Sequence, residues 1–163
     1  MTEAIARGFL GRLDAVQARL SDLAAMAAPA GLTDPDEPSG ERWDWGQVWA
    51  HLAEFPSYWT AEVRRALRAD RTAGPFGRTK ADPVRVRAIE RDRTVPPPEL
   101  MERLRPRLAD LRALLTEMSS EEWARTVSHP TLGKLGMERV MEEFLVGHFE
   151  AHAAQLHSLS EGS

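Results

Sequence analysis

A chain of 163 residues with a net charge of −4 is long enough to bury a core without disulfide or metal staples, and one domain over 1–163 is expected. It has no cysteine, which excludes a disulfide framework, a thiolate–zinc site and a cysteine nucleophile; any thiol chemistry has to come from a bound small molecule. Basic residues alternate with acidic ones, as where Glu90 and Asp92 break the run from Arg85 to Arg93, which argues against nucleic acid as a partner. No run reaches the roughly 18 uncharged apolar residues of a membrane span, so a soluble cytoplasmic protein is the default.

In chain order, Ile5, Phe9, Leu13, Val16, Leu20, Leu23 and Ala27 recur at three- and four-residue steps and predict a first helix from about Thr2 to Ala28, stopped by Pro29 and Gly31. The acidic stretch to Arg42, punctuated by proline and glycine, reads as a loop without assignable chemistry. Asp44 can cap a second helix that runs to about Ala69, with Gln47, His51, Glu54 or Phe55, and Tyr58 on one face. Pro56 lies inside this helix and implies a kink, whose plain role is to bend it around its neighbours. Trp43, Trp45, Trp49 and Trp59 crowd the same region and read as core or rim packing.

Between Asp70 and Pro98 lies a long crossover with one short charged segment, Val84 to Arg91, that could form a turn or two of helix. A connection of this length is the kind that covers a site. The third helix starts at the proline run and buries Leu100, Leu104, Leu108, Leu111, Leu115 and Met118, with Pro106 bending it outward. Ser119 or Ser120 before Glu121-Glu122-Trp123 starts a short helical turn, and Arg125 to Lys134 reads as a loop in which His129 is a solvent-exposed turn residue. A fourth helix runs from about Gly136 to Leu159, with His157 on its surface near the end. No strand pattern competes, and the pattern describes an all-α four-helix bundle with a long crossover connection between helices two and three.

The chemistry resides in His148 and His152. Four residues apart on a helix, two side chains are separated by about 40° around and 6 Å along the axis, within reach of one ion. Met137, Val140, Met141, Phe144 and Leu145 upstream, with Leu156 and Leu159 downstream, put that stripe on the core side. Two ligands rarely complete a site, and His51, in the apolar run Trp49-Ala50-His51-Leu52, is the candidate third. Three histidines with one open position form a catalytic coordination pattern for a divalent ion, whether zinc, nickel, iron or manganese. Glu150 follows His148 by two residues, unlike the glutamate of HExxH, and should point away from the ion, which argues against a peptidase.

Trp45 with Gln47-Val48-Trp49-Ala50-His51-Leu52, then His129-Pro130 and Gly133, then His148-x-x-x-His152-Ala153-Ala154-Gln155-Leu156, resembles the DinB/YfiT-like metalloenzyme family over nearly the whole chain. The resemblance implies a four-helix bundle, often a homodimer, with a divalent metal held at His51, His148 and His152. It also implies activities such as transfer of low-molecular-weight thiols (mycothiol or bacillithiol) and thiol-dependent maleylpyruvate isomerisation. The expected function is therefore metal-dependent transfer of a mycothiol-like thiol to an electrophilic small-molecule substrate through a metal-bound thiolate. The alternatives are a metal-dependent hydrolase that uses metal-bound hydroxide, and a non-catalytic stress-related metal-binding or interaction module.

Glu54 and Tyr58 follow His51 by one and two turns and are the catalytic candidates: Glu54 would orient a ligand imidazole or take a proton. The plainer and preferred reading gives Glu54 a surface ion pair with Arg42, Arg64 or Arg65 and leaves Tyr58 to pack. Homodimerisation is expected both from the resemblance and from apolar surface left around the tryptophans.

Overall fold

The computed structural model describes residues 1–37, 39–69 and 74–162. Pro38, in the first loop, Asp70 to Ala73, which open the crossover, and Ser163 lie outside the described residues. The four long helices are α1 (Thr2–Ala24), α2 (Trp45–Arg68), α4 (Pro97–Glu117) and the last segment, α7 (Val146–Glu161). Shorter elements are α3 (Pro83–Asp92), α5 (Ser120–Trp123) and α6 (Met137–Val140). Helix α1 packs on α4 and α7, and α2 packs on the same two, so α1 and α2 face each other across the diagonal of a four-helix bundle. This arrangement presses α2 directly against α7 and brings His51 to the His148/His152 pair.

Caps and stripes account for the helix ends and faces. Asp44 accepts from the Gln47 amide while the Gln47 side chain accepts from the Asp44 amide, a reciprocal capping box that fixes the start of α2. Ser119 and Glu122 do the same for α5. Leu100, Leu104, Leu108, Leu111 and Leu115 line the inner face of α4, and Leu13 and Leu20 that of α1.

The structure departs from the sequence expectation in its connections and at the tryptophans. The expected loop 125–134 contains an antiparallel hairpin, β1 (Thr126–His129) paired with β2 (Gly133–Gly136). His129 is buried, not exposed: its Nδ1 accepts from the Thr131 and Leu132 amides, and its ring packs on Phe144 and Trp59. The segment within the crossover is a full helix, α3, capped by Asp82 and packed on α2. All five tryptophans are buried within the chain, so none of them is itself an exposed apolar surface. His157 is exposed near the end of α7, as expected, beside Glu161.

A candidate three-histidine metal centre

The expected fourth helix is interrupted. Between α6 and α7 the residues Met141–Leu145 form a π-helical segment, closed by the Val146 amide on the Met141 carbonyl. At 3.6 residues per turn, the apolar stripe that starts at Met137 would continue to His148, Ala151 and Gln155. One inserted residue shifts it to Phe149, His152 and Leu156, which are the buried positions. The insertion therefore turns His152 into the core. Two features hold it. A Cβ at Gly147 would collide with the Glu142 carbonyl oxygen, so only glycine fits there. From α1, the Arg12 guanidinium makes paired hydrogen bonds to Glu142, at 2.5 and 2.8 Å, and to Glu150, at 2.9 and 2.6 Å, spanning the segment and the first turn of α7.

With that register set, the Nε2 atoms converge: His51 lies 2.9 Å from His148, and His152 lies 3.0 Å from the same atom. The other ring nitrogen of His51 bonds Glu54 Oε1 at 2.8 Å, and that of His152 bonds Gln155 Oε1 at 2.6 Å. Because an ionised carboxylate and an amide oxygen only accept, both Nδ1 atoms carry the hydrogen and both Nε2 atoms present lone pairs. His148 can donate one hydrogen at most between them, so the centre holds more lone pairs than protons, which is the donor set a cation requires. The chemistry fits a divalent ion: nitrogens bound at ~2.0–2.1 Å to one tetrahedral ion sit about 3.4 Å apart, and the two pairs that include His148, at 2.9 and 3.0 Å, lie near that value, with all three ligand atoms within 4.8 Å of one another.

Burial holds all three imidazoles neutral. Desolvation pushes His51 well below its ordinary value, with the neighbouring histidines acting in the same direction, and it does the same to His148. His152 falls to about 4, again chiefly through burial and partly offset by its bond to Gln155. Neutral imidazole is the ligand form. Aromatic rings complete the walls: Trp43 lies nearly parallel to His152 at 5.9 Å, and Phe55 meets His148 edge-on at 4.7 Å.

Glu54 corrects the plainer expectation. It forms no surface pair with Arg42, Arg64 or Arg65, which bind the Thr33 carbonyl, Asp110 and Glu62 respectively. Its buried carboxylate is held between His51 and Arg78, the latter donating to both oxygens at 2.8 and 2.7 Å. Burial raises the Glu54 pKa, and the bond from Arg78 opposes that rise. Tyr58 lies under the Arg78 guanidinium, 4.1 Å from its ring centroid, and does not line the pocket over the histidines.

That pocket is a cavity of about 80 Å³, open to solvent and lined by His51, His148, His152 and Gln155 on one side. The first loop supplies Thr33, Asp36, Glu41 and Trp43, and the crossover supplies Lys80 and Arg85. The sequence expectation gave the first loop no chemistry and gave the crossover a site-covering place without naming residues; Lys80 and Arg85 now stand over the histidines. An ion pair between Lys80 and Asp36 ties the two together, and the Phe76 amide bonds the Ser128 carbonyl of β1 at 2.8 Å, fixing the crossover to the hairpin.

Residues 13–148 match the family model for the mycothiol maleylpyruvate isomerase N-terminal domain. His152 lies just beyond the matched stretch. Among solved structures, YfiT from Bacillus subtilis, described as a probable metal-dependent hydrolase with an unusual four-helix bundle topology, superposes with a TM-score of 0.74 at 20% identity. That match covers 96% of this chain and 86% of YfiT. A mycothiol-dependent maleylpyruvate isomerase gives a TM-score of 0.65 at 15% identity over 93% of this chain, which spans 60% of that enzyme. A protein from Clostridium difficile 630 gives 0.64 at 10% identity, covering 96% and 95% of the two chains. No curated protein sequence matches. With more than half of its length matched by the family model, and with the bundle and histidine cluster described above, the chain belongs to the mycothiol maleylpyruvate isomerase N-terminal domain family of DinB-like proteins.

Proposed function

We propose that His51, His148 and His152 hold one divalent metal ion and that the protein transfers a low-molecular-weight thiol, mycothiol-like, to an electrophilic small molecule. The observation that carries this reading is the convergence of three Nε2 atoms at the base of an open pocket. When bound, such an ion supplies Lewis acidity that lowers the pKa of a thiol or water in its open position. The chain's own residues do the rest. Glu54 and Gln155 fix the tautomers of His51 and His152, Arg78 balances the Glu54 charge, and Trp43 and Phe55 keep water from the sides of the rings.

The family match supports a thiol as nucleophile, and the absence of cysteine requires that it come from outside the chain. The description of YfiT supports the rival reading, hydrolysis by activated water. Zinc, nickel, iron and manganese are all open to this donor set. Metal analysis joined to a conjugation assay separates the cases: turnover that needs both metal and mycothiol supports transfer, and turnover without thiol supports hydrolysis. Bound metal with neither activity leaves a binding module. His51→Ala and His152→Ala should each strongly reduce metal content; undiminished content in both would overturn the site. A homodimer is proposed from the family resemblance alone, and light scattering that finds a monomer at high micromolar concentration would remove it.

A further inference from the structure

Helix α3 is inside out at its start. Val84 and Val86 are 62% and 49% exposed, while Arg85 between them is only 8% exposed and lines the histidine pocket. Burying a guanidinium and exposing two valines opposes the ordinary preference of each, and such local inversions mark functional positions. The cap at Asp82, which accepts from the Val84 and Arg85 amides, fixes the helix so that this side chain points inward.

Inside, the guanidinium is incompletely bound. Nη1 donates to the Lys80 carbonyl at 2.7 Å, and the group lies 5.3 Å from the centroid of the Trp43 ring. Among the described residues, no carboxylate forms an ion pair with Arg85, Glu41 acting on it only as the strongest favourable charge nearby, and the bond from Nη1 is the one hydrogen bond its side chain makes. The nearby acids are engaged or stand apart. Asp36 is taken by Lys80 and Ser39, Glu54 by Arg78 and His51, and Glu41 lines the pocket with an exposed side chain unpaired with Arg85. The free Nε–Nη2 edge is the one that accepts a carboxylate through two parallel hydrogen bonds.

Charge points the same way. The pocket wall carries Lys80 and Arg85 against Asp36 and Glu41, with three neutral imidazoles. That wall is balanced as it stands and gains two positive charges with a divalent ion, which favours anionic ligands in the cavity. Trp43 is the spacer: its ring contacts both His51 and His152 and also underlies Arg85, so the free edge lies one indole away from the imidazoles.

We propose that Arg85 is the anchor for a carboxylate on the small-molecule substrate, so that the pocket selects carboxylate-bearing molecules and holds their other end toward the histidines. The assignment rests on reading the pocket as a small-molecule site, and its test is independent of turnover. Succinate and dimethyl succinate are titrated by calorimetry into the metal-free and zinc-loaded protein, and into Arg85→Gln and Arg85→Lys, with zinc content and melting temperature measured for each. The metal-free parent should bind succinate and not the ester. Arg85→Gln should weaken succinate about tenfold or more, and Arg85→Lys, which keeps the charge but loses the fork, should fall between, both with zinc content unchanged. The proposal is overturned if the parent does not bind succinate, if acid and ester bind alike, or if Arg85→Gln binds as the parent does. If Arg85→Gln does not fold, the acid–ester contrast in the parent and the intermediate binding of Arg85→Lys decide. Arg85-dependent succinate binding in a protein that takes up no zinc would support this anchor while removing the metal reading. Normal zinc uptake without succinate binding would do the reverse.

Discussion

Glu54 shows how much one buried side chain can be asked to do. It accepts from His51, is gripped by Arg78, and has a pKa raised by burial against the pull of that arginine. Replacing it with glutamine keeps an acceptor for the His51 Nδ1–H but removes the charge, leaving Arg78 buried without its counter-ion. Loss of such a partner to a ligand histidine typically costs about 10–100-fold in metal affinity. Glu54→Gln should therefore bind zinc that much more weakly in a competitive chelator titration, with a lower melting temperature from the unpaired arginine. Zinc affinity equal to the parent would reduce Glu54 to a structural ion pair with Arg78. Tyr58 offers no comparable lever, since it packs under Arg78 away from the cavity.

The decisive element is the π-helical segment, because it determines whether His152 faces the core. Gly147→Ala introduces a methyl group against the Glu142 carbonyl and 2.7 Å from Glu142 Oε2, so either the segment or the Arg12 clamp must shift. Overpacking of this kind costs about 1–3 kcal/mol. The expected result is a lower melting temperature and weaker zinc binding, whereas Gly8→Ala in α1, with open space around it, should leave zinc binding unchanged. Equal zinc affinity in Gly147→Ala and the parent would detach the segment from the site. None of this register could be read from the sequence. Phe144, Leu145, Val146 and Phe149 supply apolar residues for a straight helix as readily as for a shifted one. The hairpin was equally hidden, because four-residue strands are too short to display a period of two. What was legible followed local rules: the cap at Asp44, the leucine stripe of α4, and the i, i+4 pair with one histidine on a second helix. Arg78, Lys80 and Arg85 were not, since nothing in a crossover's own sequence says which cavity it will cover.

At the scale of the whole molecule, three imidazoles buried neutral between α2 and α7 couple stability to pH. Unfolded, each binds a proton with a pKa near 6.5; folded, His51 and His148 sit well below that and His152 at about 4. Above pH 6.5 neither state binds these protons, and the histidines add no slope. As pH falls below 6.5, the unfolded chain takes up protons that the folded chain refuses. The metal-free protein should then lose up to about 1.4 kcal/mol per pH unit per histidine, continuing to about pH 4 for His152. Glu54, whose folded pKa is raised, takes up its proton early and offsets part of the loss. Glu62, Glu142, Asp36 and Asp92 have lowered folded values, so their stabilisation disappears only below the ordinary carboxylate range. The interval from 6.5 to 4.5 thus belongs mainly to the histidines. Bound zinc adds stability through preferential binding to the folded state, and protons compete for the same nitrogens, so that gain should shrink over the same interval. Melting curves from pH 7.5 to 4.5, with saturating zinc and with chelator, should show a wide separation at the neutral end that closes as the solution becomes acid. A zinc-dependent shift that stays constant across this range would mean that the ion is held by groups other than His51, His148 and His152.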